Sequence, residues 1–113
     1  KTLLNTADRG YIMRKPTVVQ MKSTRSGNPV PNQFLIHTDE GTYFQSYATT
    51  IAFQPCGVRS IVLDYNALGY SVTTSKYLHI FMQGMNFNYT TKELKKFQTG
   101  ATEEESVQWD DLN

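Results

Sequence analysis

Apolar and polar positions alternate through the first sixty residues, and a helical period takes over after them. Thr17-Val18-Val19-Gln20-Met21-Lys22 is β-branched at its start and predicts a strand. Residues 23–29 combine glycine, asparagine and proline and predict a loop, with Pro29 and Pro31 keeping the chain extended beyond it. From Asn32 to Thr38, Phe34, Ile36 and Thr38 fall on one face while Gln33, Leu35 and His37 fall on the other, the period of a strand. Asp39-Glu40-Gly41 predicts a hairpin turn in which Gly41 is free to take positive φ. The returning strand, Thr42 to Tyr47, sets Phe44 and Ser46 against Tyr43, Gln45 and Tyr47. Ile51 to Gln54 and Val58 to Leu63 predict two further strands on either side of a Pro55-Cys56-Gly57 turn. Residues 1–16 predict an arm or an edge strand, since Pro16 disfavours helix immediately before it.

The period then changes. Thr73-Thr74-Ser75 offers hydroxyls that can cap the free amides of a first helical turn. Tyr77, Ile80 and Phe81 follow at i, i+3 and i+4, and Gly84 is a natural stop. Thr90 and Glu93 have the spacing of a capping box, with Leu94 and Phe97 forming the apolar side of a second helix that Gly100 ends. Residues 101–113 have no period and are expected to be flexible when unbound. The pattern predicts an α+β fold: a small antiparallel twisted or OB/SH3-like sheet of four to five strands, then two C-terminal helices covering one face. One domain over residues 1–100 and a tail over 101–113 is the expected organisation.

Charge sharpens that division. The net charge of +1 hides two unequal parts: residues 1–100 hold all 11 bases and five acids, leaving +6, and residues 101–113 hold five acids and no base. Such asymmetry points to a polyanion-binding body and an acidic interaction tail. The single cysteine bars an internal disulfide and points to a reducing, cytoplasmic setting. The apolar runs are far too short to span a bilayer, so no membrane partner is expected.

The residues that carry covalent chemistry are scattered. Cys56 sits in a predicted turn, His37 in a predicted strand and His79 beside a helical core stripe. These spacings form neither a nucleophile and base pair nor a metal-ligand set, and no glycine-rich phosphate cradle is present. The chain therefore reads as a binding protein with no cofactor and no metal, and not as an enzyme.

Seven of the residues are tyrosine, a side chain that can stand half-exposed with its hydroxyl wet. Single-stranded nucleic-acid sites combine cations that follow phosphates with flat side chains on which bases stack. Arg14, Lys15, Lys22, Arg25, Arg59 and Lys76 are candidates for the first role, and Tyr43, Tyr47, Tyr65 and Tyr70 for the second. Equally, these tyrosines can close a core and the bases can be ordinary solvated residues. Glu103, Glu104, Glu105, Trp109, Asp110 and Asp111 have the form of a short linear motif, an apolar anchor set among acids. Such a tail suits a replication or host protein, or the chain's own basic surface. Two readings follow: a protein that binds single-stranded nucleic acid and docks partners by its tail, and a non-catalytic inhibitor or modulator that binds a host protein. Exposed edge strands make a homo-oligomer a further expectation.

Asn32-Gln33-Phe34, Gly41-Thr42-Tyr43-Phe44-Gln45-Ser46-Tyr47 with Ile51-Ala52, and later Leu63-Asp64 and Tyr70-Ser71-Val72-Thr73-Thr74-Ser75-Lys76-Tyr77, carry a resemblance. Across roughly residues 17–82 the chain resembles a family of small uncharacterised proteins from bacteriophages of Gram-positive hosts. The resemblance implies a phage setting, in the cytoplasm of an infected bacterium, and no mechanism. A basic, β-rich body followed by an acidic tail is also similar in layout to phage single-stranded DNA-binding proteins. Their tails end in an apolar tip, whereas this one ends Asp111-Leu112-Asn113.

Overall fold

Alternation in the first half of the chain becomes a meander. In the computed structural model, which describes residues 15–113, five strands each run antiparallel to the one before. They are β1 (Thr17–Lys22), β2 (Pro29–His37), β3 (Gly41–Ser46), β4 (Thr49–Pro55) and β5 (Ile61–Asp64). Two helices follow, α1 (Val72–Gly84) and α2 (Thr91–Thr99), and then a strand, β6 (Val107–Asp110), that pairs parallel to β5. The fold is α+β, as the pattern predicts. Among the described residues the sheet has six strands where four or five were expected, and it is open, with spatial order β1 to β6 and an edge at each side.

Register sorts the side chains into two layers. Val19, Leu35, Phe44, Ala52, Leu63 and Trp109 form one row across the strands. From this face Phe44, Ala52 and Leu63 join Tyr77, Leu78, Phe81 and Met82 of α1 and Leu94 of α2 in the core. The Phe44 and Phe81 rings stack at 5.8 Å. Each large side chain buried here contributes roughly 2 kcal/mol of hydrophobic stabilisation. The neighbouring row, Val18, Ile36, Tyr43, Phe53, Val62 and Gln108, lies on the face away from the helices. There Tyr43 and Phe53 stack on each other at 4.3 Å.

Local signals set most boundaries. Gly41 has φ of 152°, and a Cβ at that position would overlap the Gln54 carbonyl oxygen, so the hairpin into β3 requires glycine. The α2 capping box forms as expected, with the Glu93 amide donating to Thr90 Oγ1 at 3.1 Å and the Thr90 amide to Glu93 Oε1 at 2.9 Å. Gly100 closes α2 in the left-handed region, at φ 83°. The start of α1 differs from expectation. Ser71 is its cap, accepting from the Thr74 amide at 3.0 Å, because Ser71 is still extended while Thr73 to Ser75 are already helical. The left-handed residue after α1 is Asn86 (φ 66°), and Gly84 is the last helical residue and no stop.

The largest correction concerns residues 101–113. The expected flexible tail enters the sheet as β6, with Val107 buried and Trp109 packed against the core. The Leu112 amide then donates to Asp64 Oδ1 at 3.0 Å. The Asn113 side chain bonds Thr50 in both directions, its Oδ1 accepting at 2.8 Å and its Nδ2 donating at 3.0 Å. A boundary at residue 100 therefore does not separate a folded body from a mobile arm, and α1 with α2 serves as the crossover that a parallel pair needs. The charge division changes with it. The described residues hold eight bases and nine acids in one structure. Among them no helix is long and apolar enough to cross a membrane.

Candidate functional site

Alternating strand direction decides which loops meet. The β1–β2 loop, the β3–β4 turn and the β5–α1 loop share one end of the sheet; the β2–β3 and β4–β5 turns share the other. Lys22 and Arg25 lie in or beside the first of these loops, Tyr47 in the second, Tyr65 and Tyr70 in the third, and Lys76 near the start of α1. Six of the ten side chains nominated from sequence for nucleic acid therefore gather at one end. Tyr47, Tyr65 and Tyr70 stand 57%, 55% and 43% exposed there. The four intervals from β1 to β5 make this end about 19 Å across.

The other four nominees are elsewhere. Arg14 lies outside the described residues. Lys15 precedes β1 at the opposite end. Arg59 is also at that end, donating to the Asn86 carbonyl at 3.1 Å with its guanidinium 5.1 Å from the Phe87 ring, so it ties the β4–β5 turn to the chain after α1. Tyr43 is on the open face with one ring face against Phe53. Burial first, and then the charge of Glu40, pushes its hydroxyl pKa up.

Between the β3–β4 turn and the start of α1 lies a pocket of about 360 Å³, lined by Ser46, Tyr47, Thr49, Ile51, Tyr70, Ser71 and Thr74. The lining is rings, hydroxyls and the Ile51 side chain, without a formal charge. Ser46 Oγ and Thr74 Oγ1 are 2.9 Å apart, and Ser71 Oγ donates to Thr74 Oγ1 at 3.0 Å. Gln33 pairs with Ser46 in the register and is fully buried, yet its amide group has no hydrogen-bond partner. Tyr47 sits in the left-handed region at φ 57°, an uncommon conformation for a bulky residue. Its amide donates to the Asn32 carbonyl at 2.7 Å, and Asn32 is itself left-handed at φ 67°. Sequence reasoning found the two tyrosines and missed the hydroxyls, which only the approach of α1 to β3 brings to them.

Asp64 fixes the far side of the pocket. It is almost fully buried, and it accepts from the Leu112 and Asn66 amides, the Tyr70 hydroxyl (3.2 Å) and Asn113 Nδ2 (3.1 Å). Burial alone raises its pKa, but these hydrogen bonds together overcome burial and hold the carboxyl below the usual value. Burial and the Asp64 charge in turn push the Tyr70 hydroxyl up. Tyr70 is thereby held by one edge of its ring, with the rest open.

Of the nominated tail residues, Trp109 and Glu104 take structural places. Trp109 packs on the core, its indole N–H buried without a partner, so it is no exposed anchor. Glu104 accepts from Ser106 Oγ at 2.8 Å, bending the chain into β6, and these bonds from Ser106 lower its pKa. Glu103 and Glu105 are exposed before β6, and Asp110 and Asp111 are exposed at its end. Cys56 is exposed in the β4–β5 turn. Each histidine is bonded to a threonine, His37 Nδ1 to Thr42 at 3.0 Å and His79 Nε2 to Thr91 at 2.8 Å. Among the described residues no group of three or more His, Cys, Asp or Glu side chains is placed to hold a metal ion.

Asp64→Asn is expected to destabilise the fold by about 3 kcal/mol, because the amide cannot accept from all four donors. The folded pKa is depressed, so the stability Asp64 adds is full above about pH 4, its ordinary value, and is lost as pH falls through the lower folded value. Urea unfolding across about pH 3 to pH 6 checks both points. The wild type loses stability on acidification faster than the variant; equal slopes would remove Asp64 from the account.

A search of the curated proteins and of the solved structures finds no match to this chain. One family model does match, over residues 17–107, a span that runs from β1 to the first residue of β6. The chain belongs to that family, described as a family of unknown function (DUF8033).

Proposed function

We propose that the protein binds single-stranded nucleic acid across the loop end of the sheet. The observation that carries this reading is the gathering of Lys22, Arg25, Tyr47, Tyr65, Tyr70 and Lys76 at that end, with three tyrosines about half exposed. Cations at the β1–β2 loop and on α1 would follow phosphates, while bases stack on the tyrosines between them. The uncharged pocket that Tyr47 and Tyr70 help to line is of a size and polarity to receive one base. The strain at Tyr47 supports the same reading, since strained backbone concentrates where side-chain placement serves function. In this reading the protein is a phage accessory protein of the infected cell's cytoplasm, and it is not an enzyme. The resemblance to phage proteins supports the setting, and the separation of Cys56, His37 and His79 supports the rest.

A second reading rests on a different observation. The row Val18, Ile36, Tyr43, Phe53 and Val62 is apolar, uncharged and free of helix cover. With Tyr43 and Phe53 stacked face to face, their rings offer less flat surface for bases than for an apolar partner. This face suits a non-catalytic modulator that docks on a host protein.

Fluorescence anisotropy with a labelled oligo-dT separates the two. Three phosphates neutralised by Lys22, Arg25 and Lys76 give a log–log salt slope of about −2. Tyr47→Asn removes the ring and accepts the left-handed backbone, so it should weaken binding by roughly tenfold while thermal stability stays level or rises. Absence of binding at low salt, or wild-type affinity in the variant, would end the nucleic-acid reading. The second reading is checked by Tyr43→Lys with Phe53→Lys: these changes should abolish capture of a host protein and leave oligonucleotide affinity within about twofold. Capture that survives both changes would exclude the open face.

A further inference from the structure

Among the described residues the sheet has two edge strands, and they are opposite in charge. β1 is exposed at every position except Met21, which joins the core, and Val18 and Val19 are 60% and 42% exposed on opposite faces. Lys15 precedes it and Lys22 ends it. Among the described residues nothing pairs with its outer backbone groups. β6 is the other edge, and it is flanked by acids: Glu103, Glu104 and Glu105 before it, Asp110 and Asp111 at its end. Unpaired edges are templates for another strand.

We infer that copies of this chain associate head to tail, β1 of one copy pairing with β6 of the next and continuing the six-stranded sheet. Charge selects this pairing over the symmetric ones. An antiparallel β1–β1 contact centred on Val18 and Val19 would set Lys15 of each copy against Lys22 of the other. A β6–β6 contact centred on Gln108 would set Glu105 against Asp111. Like charges directly opposite destabilise a strand pair, while opposite charges stabilise it. β1 against β6 brings bases to acids at both ends, whichever way the strands run. It also covers Val18 on one face and Val19 on the other, which no other described element does. Such an interface is heterologous, so it builds rings or filaments rather than a closed two-fold dimer. It does not depend on nucleic-acid binding.

Analytical ultracentrifugation of the full chain, without nucleic acid, tests this. The wild type should rise above the 12.9 kDa monomer with concentration and fall back at high salt. K15E with K22E gives a copy with two acidic edges, and D110K with D111K reverses the charge at the end of β6, so that β1 and the end of β6 are both basic. Each should be monomeric alone, and a one-to-one mixture should assemble again, which also proves that both are folded. A wild type that stays monomeric to about 1 mM, a range where weak specific pairs still form, overturns the proposal. So does assembly retained by D110K/D111K, which marks a β1–β1 contact, or retained by K15E/K22E, which marks a β6–β6 contact. A mixture that fails to assemble overturns it as well.

Discussion

The Asp64 carboxylate accepts four hydrogen bonds, from the Asn66 and Leu112 amides, the Tyr70 hydroxyl and the Asn113 side chain. Those donors come from both sides of the two-helix crossover. Asn66 and Tyr70 belong to the loop that leaves β5, and Leu112 and Asn113 follow β6. One buried anion therefore joins the start of the crossover to its end. Lost partners would leave a buried charge unsolvated, so the cluster forms as a unit or not at all. Asn113 extends the connection to β4 by bonding Thr50 at both its N–H and its carbonyl. The parallel β5–β6 pair, weaker per residue than its antiparallel neighbours, is held from outside its own ladder.

This arrangement also determines what the loop end presents. Tyr70 is tethered by its hydroxyl to Asp64, and it lines one pocket with Tyr47, Ser46, Ser71 and Thr74. Asp110 and Asp111 are set at the β6 side of that end, and Lys22 and Arg25 at the β1 side. The molecule is thus polar across its width, basic at one edge and acidic at the other. The acids that cluster late in the sequence therefore flank one edge strand of the sheet, while Lys15, Lys22 and Arg25 flank the other.

Legibility in the sequence followed the range of the interactions involved. The meander, the Gly41 turn and the α2 capping box rest on neighbours in the chain, and alternation or spacing was enough to find them. The start of α1 was placed two to four residues late because Ser71, Thr73, Thr74 and Ser75 all offer hydroxyls, and only backbone conformation selects Ser71. β6 was missed because its four residues are too few for a period and lie between acids that read as solvated. What makes Val107-Gln108-Trp109-Asp110 a strand is β5, more than forty residues earlier. The same holds for the pocket. Tyr47 and Tyr70 were legible as aromatics among polar residues, whereas Ser46 and Thr74 acquire their place only when α1 meets the sheet.

Integration of the acid-rich segment into the sheet through Asp64 is the central claim, and amide hydrogen exchange tests it most directly. The Leu112 amide donates to Asp64, the Tyr65 amide to the Asp110 carbonyl and the Ile61 amide to the Ser106 carbonyl. All three should exchange within about tenfold of the protected amides of the central strands, opening with the core as one unit. Exchange of the Leu112 and Tyr65 amides at free-peptide rates, with the central strands still protected, would mean that β6 is a detachable arm and would contradict the account.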